Sequence, residues 1–510
     1  EINLAAHSDL TLAAGSVLDV SGGAWVKSNG KLAYGDAGSI DLASGNFGQG
    51  TASIPQTRTS HITLGSELRG YGMKNGGSLD ITTSSIHMGA NPAGRLGELV
   101  LDEGFFGRGG FREFNLTGVD GVKVADGFQL RPAPLSAQLK PGFNLHASGS
   151  DMAALTTLLA LPVDNRAPTR VSLTANNFTR GNLHIGDGAA IRVDPEGEIV
   201  LSANRQLTVL GTLEAAAGRI ELKQTELVGT ERSEIANFDA GRSIFLGANS
   251  QLLATGYYRT ALNAQNLRKG EVLDGGSVVI AADKGYLVAQ LGSLIDVSGT
   301  QATLDLSGPG GLAATPVASN GGSIRLAARE GMLLEGGLRA RAGGAQAQGG
   351  RLSVSLKRTG GEWIVPIGNP LEVPLSSQRI VTLQATPTAL TAGLAAGVAL
   401  DTASLNGQAR LAQIQVQDGG FADLSLQGEN RIAFADALDL NLTGRLSLFA
   451  PNLSAVGAAQ TKLTAASAII GNPDTNSQVE VLRNDASGGA GALTVNAGLI
   501  ELVGHSNLQG

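Results

Sequence analysis

Four aspartates recur in similar surroundings along the 510-residue chain: Asp19, Asp41, Asp80 and Asp296 each interrupt an apolar pair, as in Leu18-Asp19-Val20 and Ile295-Asp296-Val297. Brought onto one face, such carboxylates could cleave a polysaccharide, one protonating the leaving oxygen while another activates water or attacks. An active site concentrates its acids, whereas these four are spread along the chain, so the simpler reading is an outward-facing row on a solvated surface. The six histidines are scattered without a pair at ligand spacing, and His184, between Leu183 and Ile185, reads as an outward strand residue. The calcium-binding Gly-Asp nonapeptide repeat is absent. Gly107-Arg108-Gly109-Gly110 lacks the Gly-Lys-Ser/Thr ending of a phosphate loop. Asn-x-Ser/Thr occurs at Asn115, Asn177, Asn441 and Asn452, as often as chance allows in so Asn- and Thr-rich a chain. No residue is assigned a catalytic, cofactor-binding or metal-binding role, and the chain reads as a non-enzyme.

Any such row has to be positioned by strands. Gly275–Thr300 holds three short apolar runs, Val278–Ala281, Tyr286–Leu291 and Leu294–Val297, separated by turns at Asp283-Lys284-Gly285 and Gly292-Ser293. One such coil cannot bury its own apolar face and must stack on another. The grammar recurs. Gly15–Gly22 nearly repeats Gly292–Gly299, and the Gly275-Gly276-Ser277 lead-in returns at Gly76-Gly77-Ser78 and Gly321-Gly322-Ser323. A looser copy is Gly349-Gly350-Arg351. Coils of about 20 residues predict an all-β parallel β-helix, a solenoid of roughly 20 coils on the order of 100 Å long. On this reading the 39 positions from Ala37 to Gly76 are two coils.

Composition agrees with a repeat architecture. Gly is 72 of 510 residues, aromatics are 4% and charged residues 16%, while a hydrophobic content of 42% is enough to support a core and argues against disorder. With no Cys there is neither disulfide nor thiol chemistry. A net charge of −7 provides no electrostatic footprint for nucleic acid. No apolar stretch is long enough for a transmembrane helix. The chain opens on Glu1 without a leader and shows no polar cap at either end, so it is expected to be an internal piece of a longer protein.

Coils are expected over 1–102, 178–357 and 401–510, with a protruding loop near 257–270. Two excursions should interrupt them. The first, 103–177, gathers Phe105, Phe106, Phe111 and Phe114 with Pro132, Pro134 and Pro141; Met152–Leu161 is expected to be a helix capped by Ser150 or Asp151 and stopped by Pro162. The aromatics either pin the excursion down or form a recognition surface. The second, 358–400, holds Trp363 with Pro366, Pro370, Pro374 and Pro387, and Ala389–Leu400 is a weak helix candidate because of its two glycines.

The recurring GGS-[IVL]-x-[LIV] and GS-x-[LI]-DVSG units, with GFFGRGGFREFNLTG at Gly104–Gly118, VADG at Val124–Gly127 and SDMAALTTLLALP at Ser150–Pro162, resemble the filamentous haemagglutinin family of large secreted bacterial exoproteins. The resemblance covers essentially the whole chain. It implies a right-handed parallel β-helix and export by two-partner secretion through an outer-membrane β-barrel transporter. It also implies a cell-surface or secreted location, with a surface glycan or protein on a host or bacterial cell as partner. Family members act in adhesion, biofilm formation or toxin presentation, so the expected role is a stalk giving reach and attachment. A filament subunit is the alternative, and a polysaccharide-active enzyme a further one. The family's Asn-Pro-Asn-Leu secretion motif is absent: Asn-Pro occurs at Asn91, Asn369 and Asn472 in other contexts.

Overall fold

The computed structural model describes residues 1–29, 31–45, 60–90, 97–147, 149–177, 179–224, 239–308, 311–357, 378–402, 404–473, 490–504 and 507–509. They divide into two compact units, 1–205 with 211–215, and 206–210 with 216–510. The fold is almost entirely β, and parallel pairing dominates a large sheet. No described helix is long and apolar enough to cross a membrane.

In the first unit, the alternating pattern of Ser39–Ser44 buries Ile40 and Leu42 and turns Asp41 outward. Parallel neighbours repeat this in register, so that Ile2, Ile40, Leu79, Phe114, Val171 and Ile199 form one inward row, and Leu4, Leu42, Ile81, Leu116, Leu173 and Leu201 the next. We call this the first ladder. A second runs through Leu99, Ile86, Val122 and Leu183, and a third through Leu130, Ile191 and Leu213. Most of these side chains are fully buried, and each is worth roughly 1.5–3 kcal/mol in removed apolar surface. Ile40 pairs directly with Leu79, in step with the Asp36–Asn75 contact across 39 residues. That span therefore separates two directly adjacent rungs, not rungs two apart. Adjacent first-ladder rungs are 39 residues apart from Ile40 to Leu79 and 28 from Val171 to Ile199, where turns and excursions lengthen the connection. In the second unit they are 22 apart from Leu424 to Leu446 and from Leu446 to Ala468, near the expected period of about 20.

The region 103–177 only partly leaves the sheet. Glu113–Val124 and Arg170–Ala175 are rungs of it, and Phe114 is an inward rung residue. Phe106 packs edge-on against Phe105 at 5.4 Å, Phe114 at 5.1 Å and Phe128 at 6.5 Å. Phe106, Phe111, Phe114 and Phe128 are buried, so the aromatics pin the region down. What departs is 131–169, carrying the antiparallel pair Leu135–Leu139 and Thr156–Ala160. The expected helix at Met152–Leu161 is capped as anticipated, Ala153 N donating to Asp151 Oδ1 at 3.0 Å, but it ends at Leu155. Pairing with Leu135–Leu139 pulls the β-branched Thr156-Thr157 stretch into a strand, a tertiary contact overriding local propensity.

In the second unit the first ladder runs Ile220, Val278, Ile324, Leu352, Leu424, Leu446, Ala468 and Ile500. The third begins Leu252, Ile295, Leu338. Here the apolar runs Ser243–Leu246, Tyr286–Ala289 and Gly331–Leu334 are buried on both faces, as continuous apolar strands must be. The second ladder departs from chain order. Gln408–Ala412 lies between Gly331–Leu334 and Ile380–Gln384, although it follows both in sequence, and Ile380–Gln384 then meets Arg431–Phe434. The first ladder has a single strand, Arg351–Leu356, at this level. In the third ladder's place, Gln413–Gly419 is a helix, contrary to the expectation of coils throughout 401–510. Gln415 Nε2 ties it to Leu334 O and Gly336 O at 3.1 and 2.7 Å, and Gln413 and Gln417 donate to Asp439 O on the other side. A helix is ~10 Å across, about two strand spacings, so it matches the doubled second ladder.

The expected loop near 257–270 is an antiparallel hairpin, Tyr257–Leu262 with Arg268–Leu273; a second pairs Gln301–Gly308 with Gly311–Ala318. Ala389–Leu400 is not helical: Gly393 and Gly397 take left-handed turns at φ 75° and 81°. Trp363, Pro366, Pro370 and Pro374 lie outside the described residues. In both units the hairpins leave from the same corner, after a short strand such as Val17–Asp19, Gln129–Leu130, Gln251–Leu253 or Leu294–Asp296 and before the next first-ladder strand.

Candidate functional site

The four aspartates do not form one row. Asp19 and Asp296 end short strands and close their own turns, Oδ1 accepting from Ser21 N at 2.8 Å and from Ser298 N at 2.9 Å. The serine hydroxyl of each motif then accepts a backbone N–H from the next circuit, Tyr71 N at 3.1 Å and Arg341 N at 3.1 Å. In register, Asp19 faces Arg69 and Asp296 faces Arg339. The Asp-Val-Ser-Gly unit is thus a stacking device: its acid shapes a turn and its hydroxyl receives the turn above.

Asp41 and Asp80 are register neighbours on the outer face of the first unit's first ladder. Asp80 accepts from Ser78 Oγ at 2.7 Å and from Asn115 Nδ2 at 2.7 Å, which holds it as an acceptor. The Asp41 carboxyl is pushed above the usual aspartate range, first by burial, then by the Asp80 and Glu1 charges. A raised acid pKa makes the charged form unfavourable in the fold, so Asp41 favours folding when protonated, and this contribution is lost as pH rises through its raised value. Asp41→Asn is therefore expected to raise the urea midpoint at neutral pH. The gain should vanish in acid, where both proteins carry a neutral side chain, and a gain that persisted there would refute the charge origin. The pair is the closest approach to acid–base machinery among the predicted residues, yet Asp80 is committed to its two donors.

Register brings together residues that sequence spacing hides. His87, Lys123 and His184 stack on three neighbouring second-ladder strands. The His184 imidazole is held below its ordinary value by burial and then by the Lys123 charge. His87 Nδ1 lies 3.9 Å from Glu98 Oε1 on the adjoining strand. Among the described residues no three His, Asp or Glu side chains gather closely enough to hold a metal ion. Three of the Asn-x-Ser/Thr asparagines are structural: Asn115 serves Asp80, Asn177 Nδ2 donates to Asp120 Oδ1 at 2.6 Å, and buried Asn452 donates to Asn430 O at 3.1 Å.

The second unit carries an open trough of about 540 Å³ at the corner that also emits the hairpins. Its floor is the stacked Gly-Gly turns, and its rim is Asp274, Asn320 and Gln348. Two of the rim residues brace the next turn: Asp274 Oδ1 accepts from Asn320 N at 2.8 Å, and Asn320 Oδ1 from Gln348 N at 2.9 Å. Arg351 Nε donates to Asp423 Oδ2 at 3.0 Å at one end. The glycines are required by stacking, since a Cβ on Gly350 would stand 2.1 Å from Gly322 O. Asp274, Asn320, Arg351 and Asp423 each take part in these ties, so the trough is accounted for as packing between successive turns. Compared with protein-family models, curated proteins and solved structures, the chain matches none.

Proposed function

We propose that the three ladders close into a right-handed parallel β-helix and that this chain is a stalk segment of a secreted, adhesin-type exoprotein. One observation carries the reading: the same circuit of three strands repeats in register in each unit, while the excursions leave from one recurring corner. Such a stack gains length and stability with every added coil, because each inward row is continuous and each rung pairs above and below. Loops at one corner escape that packing and are free to vary, which suits contact with a surface. The resemblance to the filamentous haemagglutinin family supports the same role and supplies its setting: export through an outer-membrane transporter, a place at the bacterial surface, and a cell-surface glycan or protein as partner.

The attachment element of the first unit is the excursion 131–169, where Leu145, Leu158 and Leu159 are exposed. Deleting all of 103–177 would also remove Glu113–Val124, Gln129–Leu130 and Arg170–Ala175 from the ladders, so the informative variant replaces 131–169 alone with a short Gly-Ser turn. Binding of the labelled chain to bacterial or epithelial cells should fall to background while the β circular dichroism stays unchanged. Undiminished attachment with intact dichroism would sink the assignment.

A further inference from the structure

Segment 386–402 leaves the end of Ile380–Gln384 and crosses the outer face of the second ladder. That face is apolar: Phe245, Val288 and Leu333 stack on three consecutive rungs, and with Tyr286 and Leu400 they form one buried cluster, packed further by Leu390 and Leu394. Gln384 Nε2 holds the start of the segment, donating to Thr386 O at 2.8 Å and Thr388 Oγ1 at 2.7 Å, and two further side chains hold its middle. The Glu335 carboxylate, just beyond the rung Gly331–Leu334 and only 7% exposed, accepts from Leu390 N, from Thr391 N at 3.0 Å and from Thr391 Oγ1. Gln290, beyond the rung below, donates from Nε2 to Thr391 O at 3.2 Å and Leu394 O at 2.8 Å. The segment's own backbone bonds are local, Leu394 N to Thr391 O and Val398 N to Ala395 O, with one tie from Leu400 N to Ala240 O at 2.9 Å. It contributes no strand to a ladder.

From this geometry we propose that 386–402 is a latched strap. It opens and closes over the Phe245–Val288–Leu333 stripe without disturbing the ladders, and Glu335 is the latch. Each half of the claim has a physical cause. The strands are held by rung-to-rung pairing that does not pass through the strap, so the strap is a separate unit of local opening. The latch is one group, because a single acceptor serves two amides and a hydroxyl, and Thr391 is itself fully enclosed at 1% exposure. Leu390 N keeps a second acceptor in Thr388 O at 2.9 Å, but without Glu335 the Thr391 amide and hydroxyl would lose theirs in the closed state, whereas in the open state water satisfies them. Opening uncovers an apolar stripe three rungs long. This device is independent of the stalk reading, since it requires only the second ladder and the strap.

Amide hydrogen exchange on the whole chain tests it, comparing wild type with Glu335→Ala and Glu335→Gln. In Glu335→Ala, amides of 390–394 should exchange on the order of tenfold faster or more. Those of 323–328 and 351–356 should keep their wild-type rates, and binding of an apolar fluorescent dye should rise. Glu335→Gln retains an acceptor and should fall between. Should Glu335→Ala fail to fold, Thr391→Val and Gln290→Ala each remove fewer ties and are judged by the same pattern. Strap and ladder amides accelerating together would show that the strap is integral to the stack. Unchanged strap exchange would show that Glu335 is no latch. Either result overturns the proposal.

Discussion

Gly322→Val is expected to destabilise the second unit by about 3 kcal/mol or more, at or above the upper end of the overpacking range. A Cβ at Gly322 would stand 1.9 Å from Gly276 O and 2.5 Å from Gly275 O. Both obstacles are backbone, so no rotamer change relieves them. The neighbouring rung bond, Ser323 N to Gly276 O at 3.0 Å, would have to part first. Gly276 is in the same position against Gly218 O, and Gly350 against Gly322 O, so a wedge here strains successive turns. Gly308, at a hairpin tip with nothing nearer than 3.9 Å, is the control: Gly308→Ala should shift stability by no more than about 0.5 kcal/mol. Guanidinium unfolding followed by far-ultraviolet dichroism decides the matter, and equal midpoints for the two variants would remove the stacking explanation of the Gly-Gly motif.

Arg379→Ala should cost ~3 kcal/mol, the lower part of the range for breaking a buried ion pair, because it leaves the buried Glu330 carboxylate to Arg329 alone, whose Nε lies 3.3 Å from Glu330 Oε1. Arg379 precedes the rung Ile380–Gln384, and its side chain is 1% exposed. Its Nη2 donates to Glu330 Oε2 and its Nε to Arg329 O at 2.7 Å. Glu330 O in turn accepts from Gly407 N at 2.6 Å, just before the inserted strand Gln408–Ala412. The pair therefore ties both ends of the region where the second ladder is out of order. Removing both charges together, as Arg379→Met with Glu330→Met, should be less damaging than Arg379→Ala, since buried pairs are replaced by apolar groups more cheaply than they are broken. A double variant worse than the single would show that the pair contributes net stability beyond its own desolvation.

Which parts of this architecture are legible in the sequence follows from the range of the forces. Alternation within Ser39–Ser44 or Ser277–Ala282 is local, and the strands form where the pattern places them. The Gly-Gly-Ser and Asp-Val-Ser-Gly units are equally local, and both turn out to be turn-and-stack devices. Register is not local. Asp19, Asp41, Asp80 and Asp296 look equivalent in sequence, yet Asp19 and Asp296 end short strands at turns while Asp41 and Asp80 lie within first-ladder strands on their outer face. The same ignorance of register hides the stack of His87, Lys123 and His184. Phe114 looks like part of an excursion only because its run is set among glycines and other phenylalanines. Gln413–Gly419 carries no apolar stripe marking a helix; its place is dictated by the gap beside the third ladder, and its glutamines fill that gap with hydrogen bonds. Ala412 has no side-chain acceptor to offer the helix start, and the Gln415 side chain, accepting from Ala412 N at 3.0 Å, supplies half a capping interaction.

The inserted strand Gln408–Ala412 also sets an order of events. A stack of coils can grow as a zipper, each rung templated on the one just laid down. Here Ile380–Gln384 emerges with no partner to rest on, for the rung beneath it is made of chain that comes later. The polypeptide must run past its own growing tip, turn back, and slide a strand underneath before the next circuit can seat. During that interval two strand edges stand open together, and an open edge is what recruits a wrong partner. Folding of the second unit therefore contains one step that cannot be taken in sequence order, and that step is its point of greatest exposure to misassembly.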